Sequence, residues 1–150
     1  MFNKLKRKVT IFVAAMMFAS GGMMAIPAYA ADFVIIMSDA YGGVSSISHK
    51  KLKNLYLRND KEFNGVSAKP VNLAEGDALR NAFLQEVLGM NEDQLKSYWL
   101  QASLDGKGKP PKSLSSENSV IKYVSKKKGA IGYVSAAAAS DAGLTSVAVE

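Results

Sequence analysis

Apolar and polar positions fall into short blocks along this 150-residue chain, and each block predicts an element. Phe33-Val34-Ile35-Ile36-Met37 is an unbroken apolar run rich in β-branched residues. It predicts a strand buried on both faces, and hence a sheet covered by helices. Ser38–Ile47 reads as a loop. Ser48 can cap a helix through Tyr56, with Leu52, Leu55 and Tyr56 on one stripe. Arg58–Gly65 is polar and turn-like. Residues 68–73 predict a short strand whose Pro70 suits an edge or a strand start. Asp77 caps a helix over 78–88, closed by Gly89. Asn91 and Gln94 form a capping-box pair before a helix to about Ala102, which offers Leu95, Tyr98 and Trp99 to the core. Ser103–Ser113 reads as a loop because two Pro and two Gly interrupt any ladder. Ser115 or Ser116 starts a helix through Lys127. Ala130–Val134 is a strand, Ser135–Asp141 is helical, and Thr145–Val149 is the last strand. The order β-α-β-α-α-α-β-α-β predicts an α/β fold with a mixed sheet of about four strands flanked by helices.

The first 30 residues do not fit that pattern. Lys4, Lys6, Arg7 and Lys8 precede an apolar run from Val9 to about Ile26, followed by Pro27 and Ala28-Tyr29-Ala30. These are the parts of a secretory signal peptide, with cleavage expected after Ala30. The reading is therefore a leader over 1–30 and one domain over 31–150, periplasmic or secreted after cleavage. This changes the charge argument. The whole chain carries +6, but four of its 19 basic groups and none of its 13 acids lie in the leader, so the remainder carries only +2. Nothing in that balance calls for a nucleic-acid partner.

Candidate chemistry is sparse. The absence of Cys excludes disulfides, thiolate metal sites and a Cys nucleophile, and one His leaves little for a zinc or iron centre; no metal ligand is assigned. No cofactor site is expected. Ser48-x-x-Lys51 and Ser125-x-x-Lys128 satisfy a serine-acyltransferase spacing without its companion motifs. His49, flanked by Lys, reads as solvated. No catalytic residue is assigned, and the chain is expected not to be an enzyme.

One set of segments says more. Residues 119–134, SVIKYVSKKKGAIGYV, resemble the stretch around the PGAIGYV signature of phosphate-class periplasmic solute-binding proteins of ABC transporters, with Lys128 at the Pro position. Residues 52–65 and 70–111 are similar to further segments of that family in the same order. The resemblance implies a single lobe of the periplasmic-binding-protein type II fold, where full-length relatives close two lobes on an oxyanion. In that family a hydroxyl-bearing loop such as Asp-Gly-Ser-Gly-Thr holds phosphate at a helix start, helped by an Arg four residues before its Ser. Here the aligned run is Glu75-Gly76-Asp77-Ala78-Leu79, with Leu73 at the Arg position. Both hydroxyls and the Arg are replaced, and a carboxylate stands where the anion would bind.

The remaining candidates for ligand binding are Ser45, Ser46, Asp77 and Arg80. Arg80 could reach an oxyanion bidentately, or pair at the surface with Asp77 or Glu86. Two functions stay open. One is a periplasmic binding module for phosphate or another small anion, alone or after self-dimerisation. The other is a module that keeps the fold, has lost the anion site, and docks on a membrane transporter or sensor protein.

Overall fold

The computed structural model describes residues 33–150, and the expected leader lies outside them. Eight strands and five helices follow in order. They are β1 Phe33–Met37, β2 Ser46–Ile47, α1 His49–Tyr56, β3 Glu62–Phe63, β4 Val66–Ser67, β5 Lys69–Leu73, α2 Ala78–Phe83, α3 Glu92–Leu104, β6 Lys112–Leu114, α4 Glu117–Lys126, β7 Ala130–Ser135, α5 Ala136–Asp141 and β8 Ala148–Val149. The main sheet is mixed, in the order β1-β7-β5-β6. β1 runs antiparallel to β7, while β5 lies parallel to both β7 and β6. The class and the strand number match the sequence reading, but the membership differs. The fourth strand is β6, from a segment read as loop, and not Thr145–Val149. That last segment bonds to β1 through Val147 and Ile35, then pairs β8 with β2. The polar stretch after Arg58 also folds into a β3–β4 hairpin, turned by Asn64 and Gly65 at φ +49° and +73°.

The helix caps follow the sequence. Ser48, Asp77, Asn91 and Ser116 each accept a backbone N–H at a helix start, and Asn91 with Gln94 completes the capping box. After Phe83 the second helix widens into a π turn, Leu84–Leu88, which carries Leu84, Val87 and Leu88 into the core. Pro70 sits near the start of β5. It pairs with Ile131 of β7 before β6 begins opposite Val71, so its missing N–H leaves no gap in the ladder.

β7 is the centre of the packing. Its residues 130–134 are all buried, and alternate side chains face opposite helix layers. Tyr133 stacks on Phe83 of α2, with ring centroids 4.1 Å apart, and also meets Tyr56 of α1. On the other face Gly132 lies against α4. A Cβ there would come 2.5 Å from Val120 and 3.3 Å from Val71. Gly129 is held more tightly still: its φ is +81°, and a Cβ would fall 2.0 Å from the Ser67 carbonyl oxygen. Ser38 Oγ accepts its N–H at 2.9 Å, and the Tyr41 hydroxyl donates to its carbonyl at 2.7 Å. Both glycines of GAIGYV are therefore packing requirements.

Burial pushes the Tyr41 phenol up to about 12. Burial also raises Tyr56 and Tyr133 well above the ordinary tyrosine value, Tyr56 further through the neighbouring phenols.

Two predictions follow from this packing. Gly132→Ala should lose about 1–3 kcal/mol in urea unfolding through overpacking against Val120, and Gly129→Ala more, since it adds backbone strain. Stability should also fall steeply at high pH. The three folded-state phenol values are raised, so their contribution is complete below the unfolded value near pH 10 and is lost as pH rises through the folded values. With up to three protons involved, the slope of unfolding free energy should approach about 4 kcal/mol per pH unit above pH 10. Urea titrations at a series of alkaline pH values check this.

Candidate functional site

Arg80 lies one turn into α2, on the same face as Phe83, whose stacking on Tyr133 fixes how deep that face sits. The Arg80 side chain is only 8% exposed. Nη1 donates to the Leu73 carbonyl at 2.7 Å and to Ser113 Oγ at 3.0 Å. Nε donates to Glu92 Oε2 at 2.9 Å, and Nη2 donates to Glu92 Oε1. The guanidinium thus sits at the C-terminal ends of β5 and β6, and the first residue of α3 closes a bidentate fork on it. Neither Asp77 nor Glu86 is its partner, against the surface pairing considered from sequence. Asp77 has turned its carboxylate onto the Leu79 N–H at 2.8 Å. Arg80 is drawn inward instead, by a strand carbonyl and by a carboxylate from the next helix.

A cavity of about 300 Å³ opens over this ion pair. Asn72 and Ser113 contribute polar groups, while Leu95, Trp99, Pro110 and Pro111 supply apolar walls. Lys96 and Glu75, both more than half exposed, pair at its rim at 2.5 Å. The hydrogen bond from Lys96 lowers the Glu75 carboxyl, and the same bond raises the Lys96 ammonium. The formal charges around the cavity cancel: Arg80 with Glu92, and Lys96 with Glu75.

Ser45 and Ser46 are not part of this arrangement. They stand at the opposite flank of the sheet, where the Ser45 carbonyl accepts from the Ala148 N–H and Ser46 pairs with Ala148. β2 and β8 form a separate two-stranded sheet, joined to β1 by the Val147–Ile35 bridge, and β7 stands between β1 and β5. Ser45 lines a separate depression with Met37, Tyr41 and Leu144. Of the sequence-predicted set, Asp77 caps the helix that carries Arg80, and only Arg80 lines the cavity.

Other candidates find structural roles. Ser48 caps α1, and Ser125 donates to the Ile121 carbonyl. His49, expected in solvent, is half-buried with its Nε2 3.0 Å from the Glu86 carbonyl. Asn72, Glu92, Ser113 and Trp99 are the members the sequence reading did not assign to a site. The signal for Asn72 was available, as a lone polar residue between Val71 and Leu73 in a buried strand. Among the described residues no group of three or more His, Asp or Glu side chains is placed to hold a metal ion. No described helix is long and apolar enough to cross a membrane.

No family model matches the chain, and no curated protein matches it. Solved structures do. An ABC-type phosphate transport receptor from Vibrio cholerae superposes with TM-score 0.59 at 12% identity, covering 79% of this chain and 46% of its own. A putative phosphate ABC transporter substrate-binding protein with bound phosphate, from Clostridium perfringens, gives 0.59 at 18%, covering 79% and 44%. PstS from Borrelia burgdorferi gives 0.60 at 13%, covering 79% and 47%. The fold is that of a phosphate-receptor lobe. The chain spans less than half the length of these receptors. In this lobe, the start of α2 and the buried guanidinium are each met by one of the chain's own carboxylates.

Removing the guanidinium should leave Glu92, 19% exposed, without its partner. Arg80→Ala should therefore cost about 3–5 kcal/mol, the range for breaking a buried ion pair from one side. Glu92→Gln should cost less, because its amide oxygen still accepts from the fork. Urea unfolding of the two variants beside the parent chain checks the order.

Proposed function

We propose that this chain is a non-enzymatic periplasmic binding module built on one phosphate-receptor lobe, and that it acts through a partner protein rather than by capturing free phosphate. The observation that carries this reading is the double occupation of the anion-binding features. Asp77 holds the start of α2, and Glu92 holds Arg80. A phosphate there would meet two carboxylates at short range in a partly dry site. It would have to displace Glu92 from a buried fork to gain the guanidinium. The partner is a membrane transporter or sensor protein, or a second copy of the chain, met outside the cytoplasm after removal of residues 1–30. The basic start, apolar run and Ala28-Tyr29-Ala30 support that location. Solved structures of similar fold are described as transport receptors, which supports a binding role.

A second reading, a small-anion receptor, draws on the donors Arg80, Ser113 and Asn72 around one cavity. Thermal unfolding of residues 31–150 at low salt separates the two. A ligand at 100 times its Kd adds about 2.7 kcal/mol, a shift of several degrees for a domain of this size. The expected result is no shift with millimolar phosphate or with sulfate. A shift with phosphate and none with sulfate would overturn the proposal in favour of the receptor reading.

A further inference from the structure

The cavity beside Arg80 is lined by a donor that none of the described residues uses. Asn72 is 4% exposed, and it lines the cavity from the C-terminal half of β5. Its orientation is fixed by Tyr133. The Tyr133 hydroxyl accepts the Leu73 N–H at 3.1 Å and donates to Asn72 Oδ1 at 3.3 Å. With the amide oxygen on that hydroxyl, Nδ2 is directed away from Tyr133. Nδ2 has no hydrogen-bond partner among the described residues, nor is it one of the sealed, unsatisfied atoms of the interior, of which Glu86 Oε2 is the case found. It therefore opens to the cavity.

The other unspent groups there are also donors. Ser113 accepts from Arg80 and keeps its hydroxyl proton. Trp99, 7% exposed, lines the cavity too, and its indole N–H has no acceptor among the described residues. A cavity with neutral donors to spare needs an acceptor oxygen in its occupant. The charges, in contrast, are already balanced, and any net charge would have to part Arg80 from Glu92 against a desolvation penalty. Leu95, Trp99, Pro110 and Pro111 favour an apolar body, and about 300 Å³ is the lower end of small-molecule sites.

We propose that this cavity receives an uncharged molecule carrying a carbonyl oxygen on an apolar body, with Asn72 Nδ2 donating to that oxygen. This rests on the reading of the chain as a binding module and names the ligand class its cavity takes. It does not depend on the identity of the protein partner.

Trp99 is the sole tryptophan of the chain, so its emission reports the cavity directly. The probes are N-acetyl-leucinamide, N-acetyl-leucine (the same body with a carboxylate) and inorganic phosphate. N-acetyl-leucinamide should give a saturable change in emission in the millimolar range and move the Asn72 side-chain amide resonance in the parent protein. N-acetyl-leucine should bind about tenfold more weakly or not at all, and phosphate should not bind. Asn72→Asp keeps the acceptor for Tyr133 and removes the donor, and should weaken N-acetyl-leucinamide about tenfold or more. If that variant unfolds, the Asn72 resonance and the amide-to-carboxylate preference of the parent decide alone. Failure of N-acetyl-leucinamide to change emission or resonance overturns the inference and leaves the partner-protein reading standing. Equal binding of N-acetyl-leucine, or undiminished binding by a folded Asn72→Asp, also overturns it. A response to phosphate alone overturns both this inference and the reading it rests on.

Discussion

One buried guanidinium ties together the end of the sheet where β5, β6, α2 and α3 meet. Arg80 belongs to α2, bonds the last carbonyl of β5, bonds Ser113 in β6, and is gripped by the first residue of α3. β6 has only three residues and pairs with one neighbour, too little to hold an edge strand by backbone bonds alone. Its position depends on being fastened to a side chain that is itself fastened. The start of α3 depends on the same group, because both carboxylate oxygens of Glu92 are held by the guanidinium. The cavity inherits its walls from these two elements, so its shape follows from one ion pair.

The same interaction decides what the cavity can hold. An Arg at the C-terminal ends of parallel strands is well placed to meet an anion. Here that capacity is spent within the chain, and Asp77 spends the amides at the start of α2 in the same way. What is left is a set of neutral donors between apolar walls. Such a surface selects against charge more strongly than it selects for any one shape.

The fold was legible in sequence wherever local chemistry decides structure. The caps at Ser48, Asp77 and Asn91, the turn at Gly89 and the apolar run of β1 each specify an element within a few residues. β6 was not legible, since Lys112-Ser113-Leu114 carries no strand pattern and becomes a strand only because β5 and Arg80 await it. The β3–β4 hairpin was marked by Asn64-Gly65, but its strands are only two residues each, too short to show an alternation. For the site, Arg80 could be singled out by its place in the helix. Its partner could not, because Glu92 stands across a turn and an intervening cap, and only the tertiary fold brings it back. Ser45 and Ser46 follow β1 in sequence, yet they lie by β8 on the far side of β1 from β7 and β5. The low identity to the similar receptor structures accords with this. The backbone plan is shared with those structures at 12–18% identity.

The two glycines of GAIGYV stand where layers of the fold meet most closely. Gly129 admits the Ser67 carbonyl and Gly132 admits α4, and neither faces the Arg80 cavity. The most readable signature in the chain is thus a record of how closely its layers are stacked. A signature of that kind travels with the architecture and is silent about the cargo: a lobe can exchange its ligand, or surrender it to a partner, and still bear the same six letters.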